Sequence, residues 1–455
     1  MTTADISTVE ELLPLPGTDT DTGDPSAWGL RHAHDPTVVR DGDGTYYMFS
    51  TDAVANAQHV PAGVHIRTSP DLVDWTYAGT AFDGVPSPAA DWSGARGLWA
   101  PEVVRWPAGG WHMYYSASTF GSNTSAIGLA VAQSPAGPWE DRGPVVATRS
   151  GEHSQNAIDA AVVFDAAGAP WLTYGSFFSG IHILPLDGAT GEPLEPGDPG
   201  TCIARRSQSV EGAVEGAYIL YRPEEDRYVL FTSYDSLFST YNVRVAVADR
   251  ITGPYRDARG HSLTDLDAPP SSIGTKVLGS YQFDGGTGWL APGHNSVLTQ
   301  DGPEGQPEHF LVHHTRFAAD PTQHVAQLRR LFFNAAGWPV VSPQPYAGRG
   351  SEVLAGPEAV AGTWQLLRFD PESTALVPAV AGELQSVGPG PEVSDGSPVQ
   401  ATLRIAGAQD GSGAAIELDA LLFGSWDWAR SRPALSFSGI DRQGVAWSGT
   451  KEVQA

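Results

Sequence analysis

The sequence predicts an all-β chain, a five-bladed β-propeller followed by a small C-terminal β-barrel or sandwich, and three observations carry that reading. Gly (52) and Pro (36) are abundant while runs of helical period are scarce, the pattern of short strands joined by tight turns. One segment plan occurs five times between residues 34 and 315. Beyond a Gly- and Ala-rich stretch near residue 350 that plan stops, and a different run of strand-like segments begins.

The five copies are HDPTVVRDGDGTYYMFS (34–50), WAPEVVRWPAGGWHMYYS (99–116), AIDAAVVFDAAGAPWLTYGS (157–176), VEGAYILYRPEEDRYVLFTS (214–233) and PGHNSVLTQDGPEGQPEHFLVHHT (292–315). Each reads as an apolar strand, a polar turn and an aromatic-rich strand. A third strand follows each, at GVHIRTS (63–69), AIGLAVAQS (126–134), GIHILPLD (180–187), YNVRVAVAD (241–249) and HVAQLRRLFF (324–333). Outer strands are expected at DWTYAG, GPWEDRG, GPYRDARG and GWPVVSP, with the third copy's near GEPLEPG. A four-stranded sheet cannot bury both faces alone. Five of them stacked round an axis can.

Aligning the copies on Val38, Val103, Val162, Tyr218 and Val297 places Asp35, Ala100, Asp159, Glu215 and His294 at one shared position, three residues earlier. The first strand of a propeller blade lines the channel, so these groups are expected to converge at the axis. One Asp at a strand start is commonly a turn residue; three carboxylates and an imidazole at one repeat position point to a site. Carboxylates crowded in a channel have their pKa values driven apart, one staying protonated and another ionised, as glycoside hydrolysis requires. Glu211, in the near-duplicate VEGAVEGAY, is set aside for Glu215 because only Glu215 stands three residues before Tyr218.

The net charge of −26 repels polyanions, so nucleic acid is excluded as a partner and a neutral substrate is favoured. The single cysteine, Cys202, rules out internal disulfides and reads as a small buried hydrophobe. No stretch approaches a membrane span, and residues 1–25 lack the basic start and apolar core of a secretory signal. The chain is expected to be monomeric and, as the sequence stands, cytoplasmic; a removed leader would make it secreted. The expected divisions are an N-terminal extension (1–30), the propeller (31–348), a linker (349–362) and the barrel (363–455). In the barrel, Trp426 and Trp428 read as core in a stabilising partner domain, with sugar binding as the alternative.

Several motifs in order, HDPTVV, LWAPEVV, NAIDAAVVFD with WLTYGSFFSGI, VEGAYILY with YVLFTSY, PGHNSVL, and HHTRF with GWPVVSPQPYAG, give the chain a resemblance to glycoside hydrolase family 43 from about residue 30 to 350. Within that family it resembles the longer, two-domain endo-α-1,5-L-arabinanases. The resemblance implies an inverting hydrolase of arabinan or arabino-oligosaccharides. It implies Asp35 as general base, Glu215 as general acid and Asp159 as the carboxylate that raises and orients the acid. It also implies His294 as the ligand of a largely hydrated Ca²⁺. His34, Trp99, Asn156, Ser176 and Phe177 are candidate substrate contacts, Trp99 and Phe177 by stacking on sugar faces. His313 and His314 are adjacent strand residues without an assigned role. Departures from the family pattern are Ala160 and Ala217, where Pro is usual, and Glu102 in place of Asp. Alternative readings are a β-xylosidase or α-L-arabinofuranosidase on the same fold, a retaining fructan-type propeller hydrolase, and a non-catalytic sugar-binding propeller.

Overall fold

The computed structural model describes residues 24–55, 60–302, 305–354, 356–388, 391–393 and 397–452; most of the expected N-terminal extension, 1–23, lies outside them. Apolar segments form five sheets in chain order, each with a four-stranded antiparallel ladder running outward from its inner strand. The first strands are His34–Arg40, Trp99–Arg105, Ala161–Phe164, Val214–Arg222 and Trp289–Asp301. They stand side by side in that order, and the fifth returns to the first, closing a ring. One short α-helix, Ser87–Ser93, is present among the described residues, stopped by Gly94 in the left-handed conformation (φ 74°).

The outer strands depart from expectation in two blades. In the third, the outer strand is Thr201–Ala204, while Pro193 makes only an isolated bridge to Leu186. In the fourth it is Thr275–Leu278, and Arg256 of GPYRDARG makes isolated bridges alone. Both expected segments hold prolines, which remove ladder donors.

Blade one is fastened to blade five from before its own first strand. Leu30 accepts from Ala326 N–H (3.0 Å), and His32 N–H donates to the His324 carbonyl (3.1 Å). The buried Arg67 holds this strap by donating to the carbonyls of Gly29 and Arg31 (2.8 Å each). The ring's closure therefore begins within the segment read as an extension.

The C-terminal segments close into a six-stranded barrel. A continuous apolar core joins it to blade five, including Phe310, Leu328 and Phe332 on one side and Leu367, Phe369 and Phe423 on the other. The Phe332 and Phe423 rings lie 4.5 Å apart. Val377–Pro378 adds as a parallel strand to the fifth sheet through Tyr281–Gln282. Trp426 packs with Ala347, and Trp428 Nε1 donates to the Pro345 carbonyl (2.8 Å). Both tryptophans serve the seam between propeller and barrel.

Candidate active site

The site is built from one backbone feature repeated round the ring. Asp35 (φ 52°), Ala100 (φ 38°), Asp159 (φ 60°), Gly216 (φ 57°) and His294 (φ 47°) are all left-handed, a conformation that costs an L-residue about 1–2 kcal/mol. Each stands two residues before a matching ladder pair: Thr37↔Phe49, Glu102↔Tyr114, Ala161↔Thr173, Tyr218↔Phe231 and Ser296↔Val312. Each N–H reaches back to the preceding blade. Ala100 donates to Thr51 Oγ1 (2.8 Å), Asp159 to Ser116 Oγ (2.9 Å), His294 to Ser233 Oγ (2.7 Å) and Asp35 to His314 Nδ1 (3.3 Å). In blade three the corresponding second-strand position is Gly175, which has no side chain, and Gly216 N–H goes to Asp159 Oδ2 instead (3.3 Å).

This register corrects the alignment made from sequence. The left-handed position of blade four is Gly216, and Glu215 stands one residue earlier, in line with His34 and Trp99. Tyr218 matches Thr37 rather than Val38, because the aromatic was mistaken for the following apolar position. Glu215 nevertheless faces the same centre. Its Oε2 accepts from Ser176 Oγ (2.7 Å) and its Oε1 from Tyr241 Oη (2.9 Å). Glu211 caps a 3-10 turn and is exposed.

Asp35 is buried among three imidazoles. Its Oδ1 lies 2.8 Å from His34 Nδ1, 3.1 Å from His294 Nδ1 and 3.4 Å from His314 Nδ1, and its Oδ2 accepts from Thr51 Oγ1 (2.6 Å). Burial alone would raise its pKa. The facing His294 and His34, with the hydrogen bond from His34, outweigh it and hold the carboxyl well below the ordinary range. Asp159 moves the opposite way, pushed well up by burial and then by the charges of Glu215 and Asp35. Glu215 is also raised, chiefly by burial, against the pull of its Ser176 and Tyr241 hydrogen bonds. The centre thus holds one carboxylate kept ionised and a pair that favours retaining a proton, which is the division acid–base chemistry needs.

The remaining expected residues are distributed as follows. His34 stacks on His314 (3.6 Å between centroids). Trp99 is half-buried beside Ala100. Ser176 is bonded to Glu215 rather than free. Asn156 is buried with its Oδ1 accepting from Ser125 Oγ (2.7 Å), which ties it to a neighbouring strand. Phe177 is part-exposed in a strained loop where it and Phe178 are both left-handed (φ 53° and 37°).

Sequence reasoning missed His314, Thr51 and Tyr241. His314 is fully buried; burial and the facing His34 hold it well below the ordinary imidazole range, so its Nδ1 lone pair can accept from Asp35 N–H. His313 points away and accepts from Arg329 Nε (3.0 Å). Tyr241 is accommodated by Gly293, where a Cβ would lie 2.1 Å from the tyrosine ring. Aligning the ends of the second strands (Thr51, Ser116, Gly175, Ser233, His314) would have singled out Thr51 and His314.

Beneath the carboxylates lies an axial cavity of about 20 Å³, its walls including Thr37, Glu102, His294, Asn295 and Ser296. Glu102 Oε2 accepts from Thr37 Oγ1 (2.9 Å), and burial pushes its carboxyl up to about 8. The Asn295 side-chain oxygen and nitrogen are buried without a hydrogen-bond partner among the described residues. Oxygen donors and an imidazole in one wall suit a hard cation.

Comparison with known proteins gives a consistent result. The model of glycosyl hydrolases family 43 matches residues 30–339. An extracellular endo-α-(1→5)-L-arabinanase of Bacillus subtilis is 31% identical over 380 residues, covering 75% of this chain and 76% of the relative. An extracellular exo-α-(1→5)-L-arabinofuranosidase of Cellvibrio japonicus is 33% identical over 330 residues, 68% of this chain and 86% of the relative. The crystal structure of an endo-1,5-α-L-arabinanase from Thermotoga petrophila superposes with a TM-score of 0.78 at 28% identity, covering 94% of this chain and 99% of that one.

The bend at Gly216 is open to a direct test. A Cβ there would meet His294 at 3.1 Å on a left-handed backbone. Gly216→Ala is expected to cost about 1–2 kcal/mol of stability, read from the denaturation midpoint; an unchanged midpoint would mean the position carries no strain.

Proposed function

The chain belongs to glycosyl hydrolase family 43 and is a glycoside hydrolase, and we propose on that premise that it cleaves α-1,5 bonds between L-arabinofuranose units of arabinan or arabino-oligosaccharides with inversion. The observation that carries the mechanism is the opposed behaviour of Asp35 and Glu215 in one buried centre. Asp35, kept ionised by His34 and His294, takes the proton of the attacking water. Glu215, protonated and aimed by Ser176 and Tyr241, gives its proton to the departing oxygen. Asp159, pushed up by burial and by the charge of Glu215 and partly steadied by Gly216 N–H, is the third carboxylate of the centre and orients the acid. The activities of the Bacillus subtilis and Cellvibrio japonicus relatives, an endo-arabinanase and an exo-arabinofuranosidase, support the substrate, and family membership displaces the non-catalytic alternative.

A calcium ion on His294 is part of the proposal. His294 Nδ1 already faces Asp35, so a cation would use the other ring nitrogen. The small cavity favours drawing part of its shell from Asn295 and Glu102 rather than from water alone. Such a cation would supply positive charge that keeps Asp35 ionised.

Asp35→Ala and Glu215→Ala are each expected to lower kcat on linear arabinan by on the order of 100- to 10,000-fold, and NMR of the first product should show the inverted anomer. Retention would replace the water-activating base with a nucleophile. The bonds from Ser176 and Tyr241 favour the ionised form of Glu215, so losing either raises its pKa further. Activity needs the protonated acid, so the alkaline limb of kcat/KM should move to higher pH in Ser176→Ala and Tyr241→Phe; a limb moving down would contradict Glu215 as the acid. Exhaustive chelation should lower Tm, calcium should restore it, and His294→Ala should show no calcium-dependent rise; a wild-type Tm indifferent to both treatments removes the metal.

A further inference from the structure

Loops on the active-site end of the propeller join the second strand of each blade to the third. Two of them carry rings that a soluble protein ordinarily covers: Phe120, 78% exposed, between Trp111–Ala117 and Ser125–Ala132 of blade two, and Phe238, 54% exposed, between Arg227–Tyr234 and Asn242–Ala248 of blade four. These blades are not neighbours, since blade three stands between them in the ring. The two rings nevertheless meet, with centroids 6.3 Å apart and planes inclined at 52°. Their contact therefore joins two blades across the one that carries Ser176 and Phe177, at the active-site end of the ring.

The blade-four loop is fixed at its base, and at its tip Phe238 N–H donates to Ser236 Oγ (3.3 Å) while the Phe238 ring stays exposed. Arg316 Nε donates to the Leu237 carbonyl (2.9 Å), and the Arg316 guanidinium lies 5.2 Å from the Phe238 ring centroid. Asp235 is paired with Arg206 (2.6 Å). The loop ends at Tyr241, whose hydroxyl holds Glu215. Phe238 is the exposed large apolar side chain of this loop, and its partner Phe120 is more exposed still. A single aromatic contact between two exposed rings is weak and opens readily.

We propose that Phe120 and Phe238 form a removable bridge across the substrate cleft that sets the preference between short or terminal arabinan segments and the interior of the polymer. The proposal rests on the arabinan reading above. With the rings together, a chain reaches Glu215 by passing an end beneath them; with the rings apart, an internal stretch can lie down from above. The base of the loop stays in place through Arg316 and Tyr241, so opening the bridge leaves the acid where it is.

The test compares kcat/KM on linear arabinan with kcat/KM on arabinotriose. Phe238→Ala and Phe120→Ala should each raise the polymer-to-trisaccharide ratio by about two- to tenfold, the range set by one aromatic contact. The early products from polymer should lengthen. The double variant should go no further than either single one, because both remove the same bridge, and Phe238→Tyr should keep the wild-type ratio. A variant that loses activity on both substrates in equal proportion would make the rings subsite walls and overturn the bridge. A wild type active on both, with variants of unchanged ratio, would overturn the bridge while leaving the substrate reading intact. A wild type inert on both would overturn that reading and the bridge with it.

Discussion

The interaction on which this site depends is the backbone N–H that each inner strand sends to the blade before it. Asp35, Ala100, Asp159, Gly216 and His294 adopt a left-handed bend that turns the chain into its inner strand, and the strain is offset because the freed N–H is bonded to Thr51, Ser116, Asp159, Ser233 or His314. Each bond crosses a blade boundary, so the five together form a closed circuit at the channel mouth. Ring closure and side-chain aim are then one event. A residue at such a bend presents its side chain to the axis only when its neighbour blade is in place.

One interruption in the circuit has chemical weight. Blade three ends its second strand with Gly175 where the others carry Thr, Ser or His. The N–H of Gly216 consequently falls to the Asp159 carboxylate. Asp159 thereby gains a donor that partly offsets the burial and the two neighbouring charges that raise it. On the far side, blade five contributes an imidazole to the circuit. His314 is kept neutral by burial, and it backs the carboxylate that His34 and His294 hold ionised. Opposite protonation tendencies of like groups follow from what each neighbouring blade supplies.

The barrel bears on this centre through blade five. It shares a core with blade five and adds a strand beside it, and blade five carries His294, His314 and Arg316. Holding that blade fixes the imidazole side of the site and the base of the Phe238 loop. Charged groups at the seam are tied to backbone carbonyls across it: Arg244 to Pro371 (2.7 Å) and Lys276 to Ser373 (2.8 Å).

What was legible in the sequence was periodic. Five copies of strand, turn and aromatic strand specify five sheets, and a change of pattern near residue 350 specifies the second domain, because alternation and turn residues are local properties. Asp35, Asp159 and His294 could be grouped for the same reason, since they recur at one repeat position. Counting failed at the outer strands of blades three and four, where prolines displace the ladder, at the one-residue offset of Glu215, where an aromatic stands in the place of an apolar residue, at Tyr241, which reaches Glu215 from a loop, and at His314, where contact between blades decides. Around Asp35, His34 and Thr51 come from its own blade, while His294 and His314 come from two strands of blade five, far along the chain, and only the closed ring brings those two within hydrogen-bonding distance. The sequence by itself determined which residues can bend and which can ionise; the tertiary structure decided which of them face one another, because burial and neighbouring charge exist only once the blades are assembled.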